Sequence, residues 1–518
     1  TTLAEALRLA TNLQVAQVNS SQWAISARGF NNVLANKLLV MIDGRTVYTP
    51  LYAGVFWDVQ HVLLDNIERI EVISGPGGTL WGANAVNGVI NVITKNAKDS
   101  QGALVEGGAG SEVLGYGGAR YGGKISNNVY YRINAMAFKR GSVANLEGQD
   151  ANDDWTIAQG GFRIDWQGDH DELMLVSNLY GNRPNPDATG AIEANGHNVV
   201  GRWSRSLSDE SDFKIQVYYD QTYRDFRNGF TERLNTYDFD GQQRIRLSSH
   251  NEIIWGLGYR MMDHRVQNLE LFRFDPENEK LHLYNIFLQD RITMLQDRLN
   301  ISLGCKLEHN SYTGFQFQPS ARISMALSSN QSLWTAVSRA VRNPSRFDRD
   351  FSLLATPDLA LLSGSDDFKS EEVLAYELGW RMQSQAQFSL SLTTFYNVYE
   401  NLRSAEPGPA PLFIPITFAN GVEGNSYGAE LSGTYQPASW WRVRGGYTFL
   451  EKDLSIKPTS NGLNGGRVES NDPSHQFLVQ SMMEVPGNIE VGVIGRYVDD
   501  LPEPYVASYW GLDATIAW

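Results

Sequence analysis

Cysteine is almost absent: Cys305 is the single one in 518 residues, so no intrachain disulfide can form, and its presence alone leaves the redox compartment open. Long apolar runs are missing too. None reaches the roughly 18 residues that a spanning helix needs, and mean hydropathy is -0.33, so a helical membrane protein is not expected. Basic clusters are scarce. The formal net charge is -15 and the pI is near 5.1. Nucleic acid is therefore not expected as a partner, because phosphate binding needs clustered cations. The eight histidines are scattered, and no Cys/His group has metal-site spacing, so neither a metal site nor a cofactor is expected. No nucleophile, base and orienting acid come together along the chain, and an enzyme is not expected. Glycine (48), tyrosine (23) and tryptophan (13) are plentiful instead, in a chain too long for one ordinary domain.

The most informative stretch is Ile67 to Lys95. Two apolar strand runs, Ile67 to Ile73 and Val86 to Ile93, flank a loop with glycines at 75, 77, 78 and 82 and Pro76. The glycines loosely resemble a dinucleotide loop, but the sequence predicts no following helix or βαβ unit. Upstream, Thr1 or Thr2 can cap a short helix whose Leu3, Leu7 and Ala10 share a face. Trp23 to Phe30 and Leu38 to Tyr48 read as strands, the second broken by the turn signal Asp43-Gly44. Residues 1–98 are thus expected to form a small α/β domain.

From Gly102 onward the period is two. Leu299, Ile301, Leu303, Cys305 and Leu307 take one face of a strand, and Asn300, Ser302, Gly304, Lys306 and Glu308 the other. Phe213 to Asp220 and Ile489 to Val493 alternate in the same way. Such strands set apolar side chains against lipid and polar ones toward a wet lumen; a soluble sandwich also alternates. Short links near 167–171, 208–211, 436–439 and 485–488 recur between longer polar loops at 141–152, 182–195, 342–367, 403–415 and 452–473. Short turns on one rim and long loops on the other describe an outer-membrane barrel. About twenty strands are predicted over 99–518. A barrel of that size cannot fill its lumen with its own side chains, and the N-terminal domain is the obvious stopper. The fold expected is mainly β: a large antiparallel transmembrane barrel with an α/β plug inside.

These residues resemble a TonB-dependent outer-membrane receptor. Ile25-Ser26-Ala27-Arg28-Gly29 is similar to the plug signature around Arg-Gly, and Leu39 to Gly44 to the next strand and turn. Ile67 to Lys95 is similar to the most diagnostic block, and Ala340-Val341-Arg342-Asn343-Pro344, Phe368 to Glu372, Tyr376 to Gly379 and Tyr427 to Leu431 follow in family order. The resemblance implies a monomeric receptor in the outer membrane of a Gram-negative bacterium, with outer-membrane lipid around it. It further implies active import of a small-molecule ligand, driven by the TonB energy-coupling complex of the inner membrane. The family barrel has about twenty-two strands, so a fragment is expected, lacking the TonB box and the last two strands. Ser74 stands where a basic residue is commoner in the family.

The resemblance also suggests sites. Arg28 is expected to pair with barrel carboxylates, Glu377 and Glu430 being candidates amid apolar neighbours. A charge facing the bilayer midplane costs several kcal/mol, so these carboxylates should face inward, where charges persist only when paired. Glu68 and Glu71 are expected to join that network; a surface arginine is the competing reading for Arg28. Tyr48, Tyr52, Phe56 and Trp57 read either as plug core or as an apical loop offered to a flat ligand. Asn31, Asn32 and Asn36 form a second apex. Arg342 and Arg346 read either as part of a solvated loop or as a grip on an anionic metal chelate. The Arg342 to Glu371 segment lacks the histidine that haem importers of the family often place there. An iron-siderophore complex is the expected ligand by family habit. Cobalamin, another metal complex and oligosaccharide stay open, and a passive porin or adhesin is the reading from another class.

Overall fold

The computed structural model describes residues 2–518 except 146, 187, 189, 385, 386, 464–468, 470 and 504. Thr2 caps the opening helix, Leu3–Leu7, accepting from the Glu5 amide in a capping box; Thr1 lies outside the described residues. Leu3 and Leu7 pack on Trp23, Ile25, Val40, Ile42, Ile90 and Val92 in one buried core. That core sits between a hairpin of Gln14–Gln17 with Trp23–Ser26 and a mixed sheet. The sheet runs Arg45–Thr46, Leu38–Ile42, Gly88–Thr94, Ile67–Ser74. Its two inner strands are parallel and its outer ones antiparallel. β-branched Val89, Ile90, Val92 and Ile93 explain the central strand. Asp43 and Gly44 both take positive φ, 51° and 81°, as the turn signal predicts.

Two expectations need correction here. The strand read as Trp23 to Phe30 stops at Ser26, because Arg28, Gly29 and Phe30 all adopt positive φ. The glycine loop does contain a helical turn, Gly78–Trp81. The strands around it are antiparallel, however, so no βαβ unit forms.

Among the described residues, twenty strands then follow in chain order, each antiparallel to the next, from Gly102–Gly108 to Tyr509–Ala517. Sheet order makes a closed barrel, with the last strand beside the first. A residue-by-residue register joins every other adjacent pair; at this seam none forms among the described residues, and both strands stay largely exposed. Three short strands, Phe272–Phe274, Phe351–Thr356 and Leu359–Ser363, extend the sheet above the rim of long loops. They structure a segment the sequence predicted as plain loop. The two-residue periodicity sorts as expected: Leu303 and Leu307 face outward, 48% and 41% exposed, while Lys306 and Glu308 face inward and are buried.

The N-terminal domain fills the lumen. It touches the inner wall around the circumference: Ser20 to Asp153, Arg45 to Asp220, Asp58 to Arg224, Thr79 to the Gln318 carbonyl, and the Thr11 carbonyl to Thr448. Among the described residues, no helix is long and apolar enough to cross a membrane.

Candidate functional site: the plug anchors

Three of the sets of contacts that hold the plug involve residues singled out in the sequence. The first is Arg28. Its left-handed backbone turns the side chain out of the plug, toward the wall. The guanidinium lies 2.9 Å from Glu377 and 3.2 Å from Glu430 and stacks 4.2 Å from the Phe395 ring centroid. Burial by itself pulls its pKa down. Glu430 and Glu377 outweigh that, and the net shift is upward. Gly75 passes directly over this pair with φ of 85°, and an added Cβ would sit 2.5 Å from a Glu377 oxygen. Gly82 does the same against Glu308, where a Cβ would stand 2.7 Å from its carboxylate. The glycine-rich loop is thus what lets plug backbone approach wall carboxylates closely. Ser74, where the family favours a basic residue, bonds instead with Asn12 inside the plug.

The second set grips the Phe30–Lys37 apex. The amides of Phe30 and Asn31 both donate to Asp472 at 2.9 Å, and Lys452 pairs with the same carboxylate. Lys452 and Lys37 lie 4.2 and 4.5 Å from the Phe30 ring centroid. Lys37 pairs with Glu371 at 2.8 Å, Glu371 with Arg342 at 2.8 Å, and Arg342 with Asp348 at 2.7 Å. Arg403 joins Asp348 to Glu469, at 3.7 and 3.2 Å. Four cations and four carboxylates alternate through this network, so each buried charge has its counter-charge.

The third set holds the aromatic loop. The Pro50 and Leu51 carbonyls accept from the Arg346 and Phe347 amides at 2.8 and 2.9 Å, at the start of the turn Arg346–Arg349. Leu51 and Tyr52 sink among Phe230, Val266, Phe274 and Phe351. Asp58 takes Arg224 in a bidentate pair, 2.9 Å on both arms, with Arg224 3.6 Å from the Phe56 ring centroid. Burial pushes the Tyr52 phenol pKa up.

The structure brings together Arg28, Glu377 and Glu430 as the sequence proposed. It does not bring Glu68 and Glu71 to them: both sit on the exposed face of the plug sheet and pair with Arg69 at 2.7 Å. The residues read as ligand contacts do not converge on one open pocket. Arg342 and Arg346 are fully buried; Arg346 serves Asp350, His264 and the Pro276 carbonyl. A desolvated guanidinium has to be paired, and these are paired inside the protein. Tyr52 and Trp57 are buried and Phe56 half-buried. Tyr48 borders a cavity of about 40 Å³ with Asn84, Asn310 and Tyr312, too small for a chelate. Asn31 bonds to Ser26 and the Ala24 carbonyl, Asn32 caps its own turn at Leu34, and Asn36 accepts from Lys37. At the apex tip, Val33 and Leu34 are the exposed residues. Sequence reasoning missed Lys37, Asp58, Glu371, Glu469, Lys452 and Asp472. The available signal was charge at inward positions of period-two strands, which marks Glu371 and Lys452.

A wide antiparallel barrel, stoppered by its own N-terminal domain through charged anchors, defines a plugged outer-membrane receptor. The chain belongs to the TonB-dependent receptors: residues 107–518 match the TonB dependent receptor-like beta-barrel and residues 1–89 the TonB-dependent receptor plug domain. Its place is the outer membrane of a Gram-negative bacterium. The ferric enterobactin receptor of Pseudomonas aeruginosa is 23% identical over 604 residues, covering 96% of this chain and 75% of that one. The siderophore receptor PirA of Acinetobacter baumannii is 21% identical, covering 74% and 61%. A vitamin B12 transporter of Vibrio vulnificus is 38% identical over 112 residues, 21% of this chain and 18% of that protein. The chain thus spans less than two thirds of the length of two of these relatives. In structure it is similar to the ferric enterobactin receptor of P. aeruginosa (TM-score 0.80, 17% identity, 99% of this chain and 87% of that one). It is also similar to the FrpB iron transporter of Neisseria meningitidis (TM-score 0.81, 14% identity, 100% and 89%).

Proposed function

We propose that the protein is an energy-coupled importer of a scarce small-molecule ligand, an iron-siderophore complex above all, working with the TonB complex of the inner membrane. Residues 1–98 act as the plug unit, residues 99–518 as the barrel, and a monomer suffices. The observation that carries this reading is the way the plug is held. It meets the wall through ion pairs and hydrogen bonds such as Arg28 with Glu377 and Glu430, and Asp58 with Arg224. Contacts of that kind are lost one at a time under a pull and re-form when water and partner return, whereas a passive porin has no use for a folded stopper. The siderophore receptors among the relatives support iron as the cargo. The 38% match to a vitamin B12 transporter supports cobalamin as the second reading.

The test is uptake of labelled ferric enterobactin and labelled cobalamin by cells expressing the full-length gene, with and without the TonB complex. Accumulation of one of them only when the complex is present is the expected result. Accumulation indifferent to the complex removes active import.

A further inference from the structure

The plug does not fill the lumen evenly. Below the Arg28 anchor, toward the rim of short turns, a cavity of about 770 Å³ is bounded by the wall between Ala326 and Arg444. Among the described residues, no plug residue and no carboxylate lines it. Its surface is mostly serine, threonine and amide side chains, with three arginines: Arg381, Arg442 and Arg444.

All three arginines point into the lumen. Arg381 stands on the strand that carries Glu377, four residues on and so on the same face, about 13 Å further along the strand toward the rim of short turns. Arg444 is opposite Gln480, whose side chain donates to the plug's Leu9 carbonyl at 2.9 Å. Arg442 is two residues further along that face. The three guanidiniums are exposed, and none has an ion pair, hydrogen bond or ring contact among the described residues. This contrasts with Arg28, Arg224, Arg342 and Arg346, each matched to a carboxylate. In a chain of net charge -15, three unmatched cations around one carboxylate-free cavity form a site for anions. A guanidinium fork fits carboxylate-like oxygens, and a cleft of one sign with low-dielectric walls raises the local concentration of its counter-ion about tenfold or more.

We propose that this cavity is the exit track of an anionic cargo, with Arg28 and its two carboxylates as the gate above it. When the plug is drawn away from Glu377 and Glu430, a negatively charged chelate leaving that level meets Arg381, Arg442 and Arg444 on its way to the periplasm. This rests on the import function proposed above and fixes the charge of the cargo as negative.

Two measurements test it on the full-length receptor in cells. The first is uptake of ferric enterobactin, ferric citrate and cobalamin by the triple variant Arg381→Gln, Arg442→Gln, Arg444→Gln and by the matching triple lysine variant. Expected is about a tenfold slower uptake of the anionic ferric chelate in the glutamine variant, unchanged binding at the cell surface, and recovery with lysine. The second places one thiol in the track, Thr434→Cys in a Cys305→Ser background, and compares anionic with cationic methanethiosulfonates added from the periplasmic side. The anionic reagent should react about tenfold faster relative to the cationic one than it does in the glutamine variant. Equal uptake in wild type and glutamine variant, no recovery with lysine, or no reagent preference overturns the track and leaves import standing. Import of cobalamin alone overturns the anionic cargo. No TonB-dependent uptake of any of the three removes the import function and the track with it. Slower uptake accompanied by loss of binding to the isolated TonB domain would assign the arginines to a partner protein and overturn the proposal as well.

Discussion

Removing the carboxylates opposite Arg28 should loosen the plug by an amount the structure bounds. Arg28 is 4% exposed, and Glu377 and Glu430 are its two counter-charges. In the variant Glu377→Gln, Glu430→Gln the guanidinium stays buried with neutral neighbours. It cannot escape by deprotonating, since arginine holds its proton above pH 12. Breaking a buried pair from one side costs about 3–5 kcal/mol. At about 1.4 kcal/mol per power of ten, that shifts the seated-to-unseated ratio of the plug by roughly two to four powers of ten. The assay is ion conductance of the purified receptor in planar bilayers, where an unseated plug opens the lumen. Openings should become frequent in the double glutamine variant. Adding Arg28→Met to that variant should restore much of the closed state, because the orphaned charge is gone and the ring of Phe395 remains to pack against. Closed-state behaviour equal to wild type in the double glutamine variant would show that Arg28 does not anchor the plug.

Three further outcomes follow from the same geometry. Gly75→Ala should lower thermal stability of the seated plug by about 1–3 kcal/mol, since its φ of 85° and the Glu377 oxygen 2.5 Å from the new Cβ both oppose it; Gly115→Ala, which meets nothing, should be silent in the same melting experiment. Asp58→Asn should free the aromatic loop by breaking the bidentate pair with Arg224, at a cost of about 3 kcal/mol, seen as faster hydrogen exchange at Tyr52 to Val59; unchanged exchange there would refute it. His61, packed edge-on to Phe138 with ring centroids 5.0 Å apart, has its pKa pulled down to about 4 by burial, against weaker support from the Asp58 carbonyl. A depressed histidine pKa means that the unfolded chain binds the extra proton first. Plug stability should therefore be full above about pH 6.5 and fall by up to about 3 kcal/mol as pH drops toward 4; His61→Gln should flatten that slope in stability measured across this range.

Much of the architecture was readable along the chain, and for a definite reason. Strand side chains alternate, so a two-residue period in Leu299 to Glu308 already separates a lipid face from a lumen face, and the folded strand keeps that assignment. Glycine at 75 and 82 was visible as a loop signal. What it serves, the approach of backbone to Glu377 and Glu308, was not, because the carboxylates lie hundreds of positions away. The segment after Arg342 shows the limit from the other side. Its mixed charges read as solvated loop or chelate grip, yet Ser345 and Asp348 cap a helical turn and the arginines turn inward to Glu371 and Asp348. Local composition does not distinguish a charge facing water from one facing a distant counter-charge. Glu68 and Glu71 went wrong in the same way: their neighbour Arg69 claims them.

Alternation, turn chemistry and the order of the motifs are properties of neighbouring residues, so the sequence by itself determined a barrel with a stopper and the family it belongs to. Which charges meet was decided only when the barrel closed around the plug, bringing Arg28 to Glu430 across 402 positions and leaving Arg381, Arg442 and Arg444 without partners among the described residues. Pairing at such separations depends on shared space rather than shared sequence, and burial makes each such pairing obligatory.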